Sequence, residues 1–149
     1  ATAAQVKAAR DAVDAFVKDY TDASEPYQAI AEIKNLDKLT YLEAQVKAKQ
    51  IAAVKGLKLT AKSSAKKGSI TVKWTVKGDA SAADGYQVWK STKQSSGYKK
   101  AFTTTKQSYK NTKGLKKGTR YYYKVRAYKV VDGKNIYSDW SNKAYRVAK

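Results

Sequence analysis

The 149-residue chain has no cysteine, no histidine, no methionine and a single proline. Without histidine there is no Ser-His-Asp triad, no imidazole general base and no histidine metal ligand. Without cysteine there is no thiol nucleophile, no cysteine-held zinc or iron–sulfur centre and no disulfide. No apolar run approaches the ~18–20 residues of a membrane-spanning helix, so no membrane insertion is expected. The opening residues also lack the pattern of a signal peptide. Acids are scarce beyond residue 56, where only Asp79, Asp84, Asp132 and Asp139 occur. A glycosidase needs two carboxylates held ~5–9.5 Å apart. These four lie in or beside predicted turns, where solvation and turn chemistry account for them. The chain is expected to be non-catalytic, with no cofactor and no metal.

What is abundant is lysine, and it is unevenly placed. Residues 1–56 carry eight basic and eight acidic groups, whereas residues 57–149 carry 23 basic and four acidic ones. The whole net charge of +19 therefore belongs to the second part. Such a split suggests two modules with different surfaces. Gly56 suits a helix C-cap at the junction, giving a helical module over residues 1–55 and a second module over 56–149.

Val6, Ala9, Val13, Phe16 and Tyr20 recur at helical spacing and predict a helix from about residue 3 to 20. Pro26 suits the first turn of a second helix ending near Asn35. Thr40 and Glu43 form a capping-box pattern for a third helix from Tyr41 to about Val54. Three helices in so few residues bury little area, so the bundle is marginal by itself. The stretches Val6–Phe16, Asn35–Leu39 and Glu43-Ala44 resemble helical modules repeated in long Gram-positive surface proteins. Those modules usually have a further helix ahead of this one, which implies a piece cut from a longer chain.

The second module reads as strands. Ile70, Val72, Trp74 and Val76 alternate with Thr71, Lys73, Thr75 and Lys77, the period of a strand with one buried face. Further strands are predicted at 57–63, 86–90, 98–104, 119–130 and 144–147. Lys67-Gly68, Asp84-Gly85, Ser96-Gly97, Lys117-Gly118 and Asp132-Gly133 mark turns between them. Short strands without intervening helices indicate an antiparallel, all-β sandwich. The run from Leu115 to Ala127, with Trp74 and Gly85-Tyr86-Gln87-Val88 upstream, resembles the immunoglobulin-like fibronectin type III domain over about residues 57–149. The resemblance makes Trp74 and Leu115 structural and gives Tyr121 the corner role, its hydroxyl tied to nearby backbone. The family usually has proline where Lys117 stands.

Three sets of residues are candidates for binding. Tyr137-Ser138-Asp139-Trp140-Ser141 resembles the Trp-Ser-x-Trp-Ser box of cytokine receptors, with Tyr137 in place of the first tryptophan. Lys124 and Arg126 alternate with Tyr123 and Val125, so they are expected to point outward and meet Trp140. A self-contained stabilising ladder and a ligand surface both fit. Trp89, with Gln87, is expected to face solvent near Tyr122 and Tyr128, making an aromatic platform for a sugar or protein partner, or simply surface packing. Tyr20, Tyr27 and Tyr41 fall at or near helix ends, where a thin bundle least covers a ring; they either contact a partner or pack on the second module.

Only three of the second module's cations are arginines, and the lysines are scattered, so base-reading nucleic-acid recognition is not expected. Attraction to polyanions such as an anionic wall polymer or a glycan is. The lysine-rich turns resemble those of fibronectin type III domains in secreted and wall-attached Gram-positive proteins, which implies an extracellular, secreted or cell-wall location. The resemblances imply a non-catalytic adhesion segment binding a host protein, with immunoglobulin the specific expectation. The alternative is a carbohydrate-binding or spacer module of a secreted glycan-degrading enzyme. No Arg-Gly-Asp is present.

Overall fold

A computed structural model describes residues 1–21 and 36–149. It divides into two compact units, Ala1–Gln50 and Ile51–Lys149.

Among the described residues the first unit contains helix α1 (Ala3–Thr21) and most of α2 (Leu36–Lys55). The expected middle helix, with Tyr27, lies outside the described residues. Thr2 caps α1: its hydroxyl accepts from the Gln5 N–H at 3.2 Å while the Gln5 side chain accepts from the Thr2 N–H at 2.9 Å. That reciprocal pair satisfies two otherwise orphaned donors. The capping box expected at Thr40–Glu43 is not formed. The apolar pattern continues upstream through Leu39 and Leu36, so α2 starts five residues earlier than expected and Thr40 sits inside it. The Thr40 hydroxyl instead donates to the Leu36 carbonyl at 3.1 Å. Glu43 takes Arg10 of α1 through two bonds of 2.7 Å, a bidentate pair beside buried Val6 and Leu39.

The second unit is a sandwich of two antiparallel sheets. Strands β1 (Lys58–Lys66), β2 (Ser69–Lys77) and β5 (Ser108–Asn111) form one, in the order β1-β2-β5. The other has the order β4-β3-β6-β7, from β3 (Gly85–Ser91), β4 (Lys99–Thr104), β6 (Arg120–Val131) and β7 (Lys134–Tyr137), with β8 (Ala144–Val147) also on β6. The short strands β5 and β7 were not anticipated. β6 is twelve residues long, enough for two partners along one edge: β8 pairs with its first four residues and β7 with its last four. The β6–β7 hairpin turns on Asp132 and Gly133, at φ 50° and 72°, as a tight Asp-Gly turn requires.

Alternation sends Ile70, Val72 and Trp74 of β2 inward against Tyr86 and Val88 of β3 and Tyr121, Tyr123, Val125 and Ala127 of β6. Trp74 meets Tyr86 edge-on at 5.4 Å. Val54 and Leu57, where α2 gives way to β1, are fully buried in the same core. The Tyr121 hydroxyl accepts from the Lys116 N–H at 2.8 Å and donates to the Gly114 carbonyl at 3.2 Å, closing the corner around half-buried Leu115.

Candidate functional site

The outer face of the five-stranded sheet carries a ladder of cations and rings. Its placement begins with two serines. Between β7 and β8 the chain does not pair as a regular strand, which would leave the central N–H groups of β6 without partners. Ser138 and Ser141 supply them: their hydroxyls accept from the Ala127 N–H at 2.9 Å and the Val125 N–H at 3.0 Å. Their own N–H groups donate back to the Ala127 and Val125 carbonyls. Both serines are thereby buried, and Trp140 between them is turned outward over β6.

There Trp140 lies between two cations. Lys124 Nζ is 4.1 Å from its ring centroid and Arg126 Cζ is 4.5 Å. Tyr98 continues the ladder beyond Lys124 at 4.6 Å, and Tyr137 stacks on Arg126 at 3.5 Å. Trp89 packs edge-on to Trp140 at 5.5 Å and also lies 5.5 Å from Arg126. Arg126 is anchored from the side by Gln87, whose Oε1 accepts from Nε at 3.1 Å and Nη2 at 3.0 Å. Burial among rings disfavours both charges. It pushes the lysine and the arginine below their ordinary pKa, and for Lys124 the neighbouring Lys143 and Arg126 add to the effect.

Gln87 was expected to face solvent and is only 6 % exposed, because Arg126 and its rings cover it. The expected platform is divided among different neighbours. Trp89 is engaged by Trp140 and Arg126, Tyr122 lies against Tyr145 at 5.6 Å, and Tyr128 lies across Gly85. A Cβ on Gly85 would come within 3.0 Å of the Tyr128 ring and of the Thr104 carbonyl, so the glycine is what lets that ring lie flat. Of the helical tyrosines, Tyr41 is 63 % exposed on α2. Tyr20 lies in the last turn of α1 but its side chain, like the whole of Tyr27, lies outside the described residues.

The four acids of the sandwich are turn and surface groups. Asp79 accepts from the Ser81 hydroxyl and N–H, Asp84 takes the Val130 N–H and Lys129, and Asp139 pairs with Lys58 at 2.6 Å. Each of these three carboxyls is held below the ordinary range, by Ser81, by the Val130 N–H and by Lys58 respectively. Among the described residues no three acids gather where they could hold a metal ion.

The fibronectin type III domain profile matches residues 52–143, more than half of the chain and the whole corner and ladder. The chain belongs to the fibronectin type III family. A search of curated proteins returns no match. Among solved structures, a β-1,2-glucanase from Parabacteroides distasonis is similar at 22 % identity and a TM-score of 0.51, over 64 % of this chain and 13 % of that one. A fibronectin type III-like protein from Clostridium thermocellum is 28 % identical with a TM-score of 0.46, over 61 % of this chain and 88 % of that one. A pectate lyase from Pectobacterium carotovorum is 19 % identical with a TM-score of 0.49, over 60 % and 26 %. The chain thus spans a small part of the glucanase.

Proposed function

We propose that this fibronectin type III protein is a non-catalytic binding segment of a larger extracellular protein, and that its sandwich attaches that protein to acidic polymers. One observation carries the reading: 23 cations against four acids in residues 57–149. Two of those acids are already paired with lysines. Lysines stand exposed on β1, β2, β4, β5 and β7, so the field covers both sheets. A surface of this kind attracts polyanions without selecting a base sequence or a fold. Such attachment serves a wall-attached adhesin and a module of a glycan-degrading enzyme equally. The ladder supports the reading by leaving the main aromatic cluster occupied with its own cations.

The test is retention of the whole chain on immobilised heparin and on teichoic acid. Binding at 50 mM NaCl that is lost by about 0.3 M supports the proposal, since exposed charges are screened within a few ångströms there. Retention unchanged by salt, or by replacing sandwich lysines with glutamine, contradicts it. A second reading assigns capture of a host protein such as immunoglobulin to the helices, favoured by the exposure of Tyr41. Serum pull-down with Tyr41→Ala beside the parent chain tests it; equal capture by both removes Tyr41 from that role.

A further inference from the structure

β4 and β5 are edge strands of different sheets. Where the two edges run past each other the sandwich opens into a groove of about 650 Å³. Lys90, Lys99, Lys100, Lys110 and Lys113 line it, and no carboxylate does. Its apolar wall is Phe102, which stacks on Tyr109 at 4.8 Å and 19° and remains 47 % exposed. The pairing of β3 with β4 shifts beside it: Val88 faces Phe102 but Trp89 faces Lys100, so Ala101 is the extra residue of a bulge. Bulges re-aim side chains at sheet edges. None of the ladder residues lines this groove.

We propose that the groove binds an acidic polysaccharide, one sugar ring lying on Phe102 while the lysines take the carboxylate or sulfate groups on either side. This rests on the polyanion reading above and assigns it a place. Five ammonium groups around one opening repel one another, and a bound polyanion relieves that repulsion. Lysine is a point charge on a flexible stem, suited to anionic groups whose spacing follows the polymer rather than a planar bidentate fork. A flat, half-exposed aromatic ring beside them adds what a ringless polyanion cannot use, a surface for a sugar face.

The experiment uses the whole chain in 0.1 M NaCl, with calorimetric titration of polygalacturonate, polyphosphate, neutral dextran and single-stranded DNA. The triple variant Lys99→Gln, Lys100→Gln, Lys110→Gln is expected to weaken polygalacturonate binding at least tenfold. A control triple, Lys62→Gln, Lys66→Gln, Lys134→Gln, removes equal charge from β1 and β7, the opposite edges of the two sheets, and is expected to change it less than threefold. Phe102→Ala is expected to weaken polygalacturonate at least threefold and leave polyphosphate unaffected. Circular dichroism melts confirm that each variant is folded. Equal losses from both triples overturn the groove while leaving charge-driven binding intact. No binding of polygalacturonate, polyphosphate or heparin overturns the broader reading as well. Tighter binding of DNA than of polygalacturonate, lost with the same lysines and Phe102, gives the groove to nucleic acid and overturns the proposal. Dextran binding comparable to polygalacturonate does so too.

Discussion

Arg126 shows how much one side chain can hold at once. Its guanidinium meets three rings and bonds a glutamine that is nearly inaccessible to water. Lysine in its place keeps the charge but loses the planar fork and leaves Gln87 Oε1 underpartnered. Cation–π contacts run from ~0.5 kcal/mol when exposed to ~2 when desolvated. Arg126→Lys is therefore expected to cost about 2 kcal/mol in urea unfolding, and a loss within error of zero would make the ladder decorative. Tyr123 makes a different case. Burial pushes its phenol up to about 12, although the hydrogen bond from Asn111 at 2.9 Å pulls the other way. A raised native pKa means that the unfolded chain ionises first. The stability this group carries is complete below pH 10 and falls as pH rises toward 12, by about 1.4 kcal/mol per pH unit. Burial shifts Tyr86, Tyr98 and Tyr109 in the same direction. The sandwich should unfold cooperatively in that interval, with the loss of far-ultraviolet dichroism coinciding with the last step of tyrosinate absorbance, that of the buried rings. Completion of the tyrosinate absorbance change before the dichroism is lost would show that these buried rings titrate in place.

At the scale of elements, the tyrosine corner at the start of β6 is the most economical device in the sandwich. One hydroxyl bridges two backbone groups across the turn into β6. Each such bond contributes ~1 kcal/mol net, more when the backbone partner is left buried. Tyr121→Phe is expected to lower stability by about 2 kcal/mol without changing the denaturant slope, as measured by guanidinium titration. A change in slope would instead point to altered compactness. β1, β2 and β6 could be read from the sequence because alternation writes their buried face into it. The outward aim of Lys124 and Arg126 follows from the same alternation. β5 and β7 could not be read, since Ser-Tyr-Lys-Asn and Lys-Asn-Ile-Tyr are four residues each with too few apolar positions to show a period. Their place comes from β2 and β6, which offer open edges. The burial of Gln87 was equally hidden: its neighbour Arg126 lies 39 positions away, and only the β3–β6 register brings them together. Thr40 misled for a local reason, because a capping sequence is also tolerated inside a helix when the hydroxyl bonds back one turn.

For the molecule as a whole, charge and burial act in opposite directions on the sandwich. Its core is a continuous set of side chains from both sheets, capped at one end by Val54 and Leu57. Residues 51–149 should therefore fold by themselves, and Trp74→Ala, at ~3–5 kcal/mol, should remove much of a total near 5–15. A variant melting within a few degrees of its parent would mean that Trp74 is not central to that core. Against this burial stands the mutual repulsion of 23 cations with four acids to offset them. Such repulsion destabilises a compact state and is long-ranged, so salt shortens it. The Debye length falls from ~30 Å at 0.01 M to ~8 Å at 0.15 M. Salt therefore removes the longer-range part of this repulsion first, leaving that between lysines directly opposite on adjacent strands, such as Lys58 and Lys77, Lys62 and Lys73, and Lys90 and Lys99. Salt should consequently stabilise the sandwich while weakening its hold on polyanions, two effects of opposite sign from one set of charges. A gain of ~1 kcal/mol corresponds to ~4–8 °C for a domain of this size. Calorimetry of residues 51–149 should show a melting temperature several degrees higher in 0.2 M than in 0.01 M sodium chloride. A fall over that range would mean that the pairs Lys58–Asp139 and Lys129–Asp84 outweigh the repulsion.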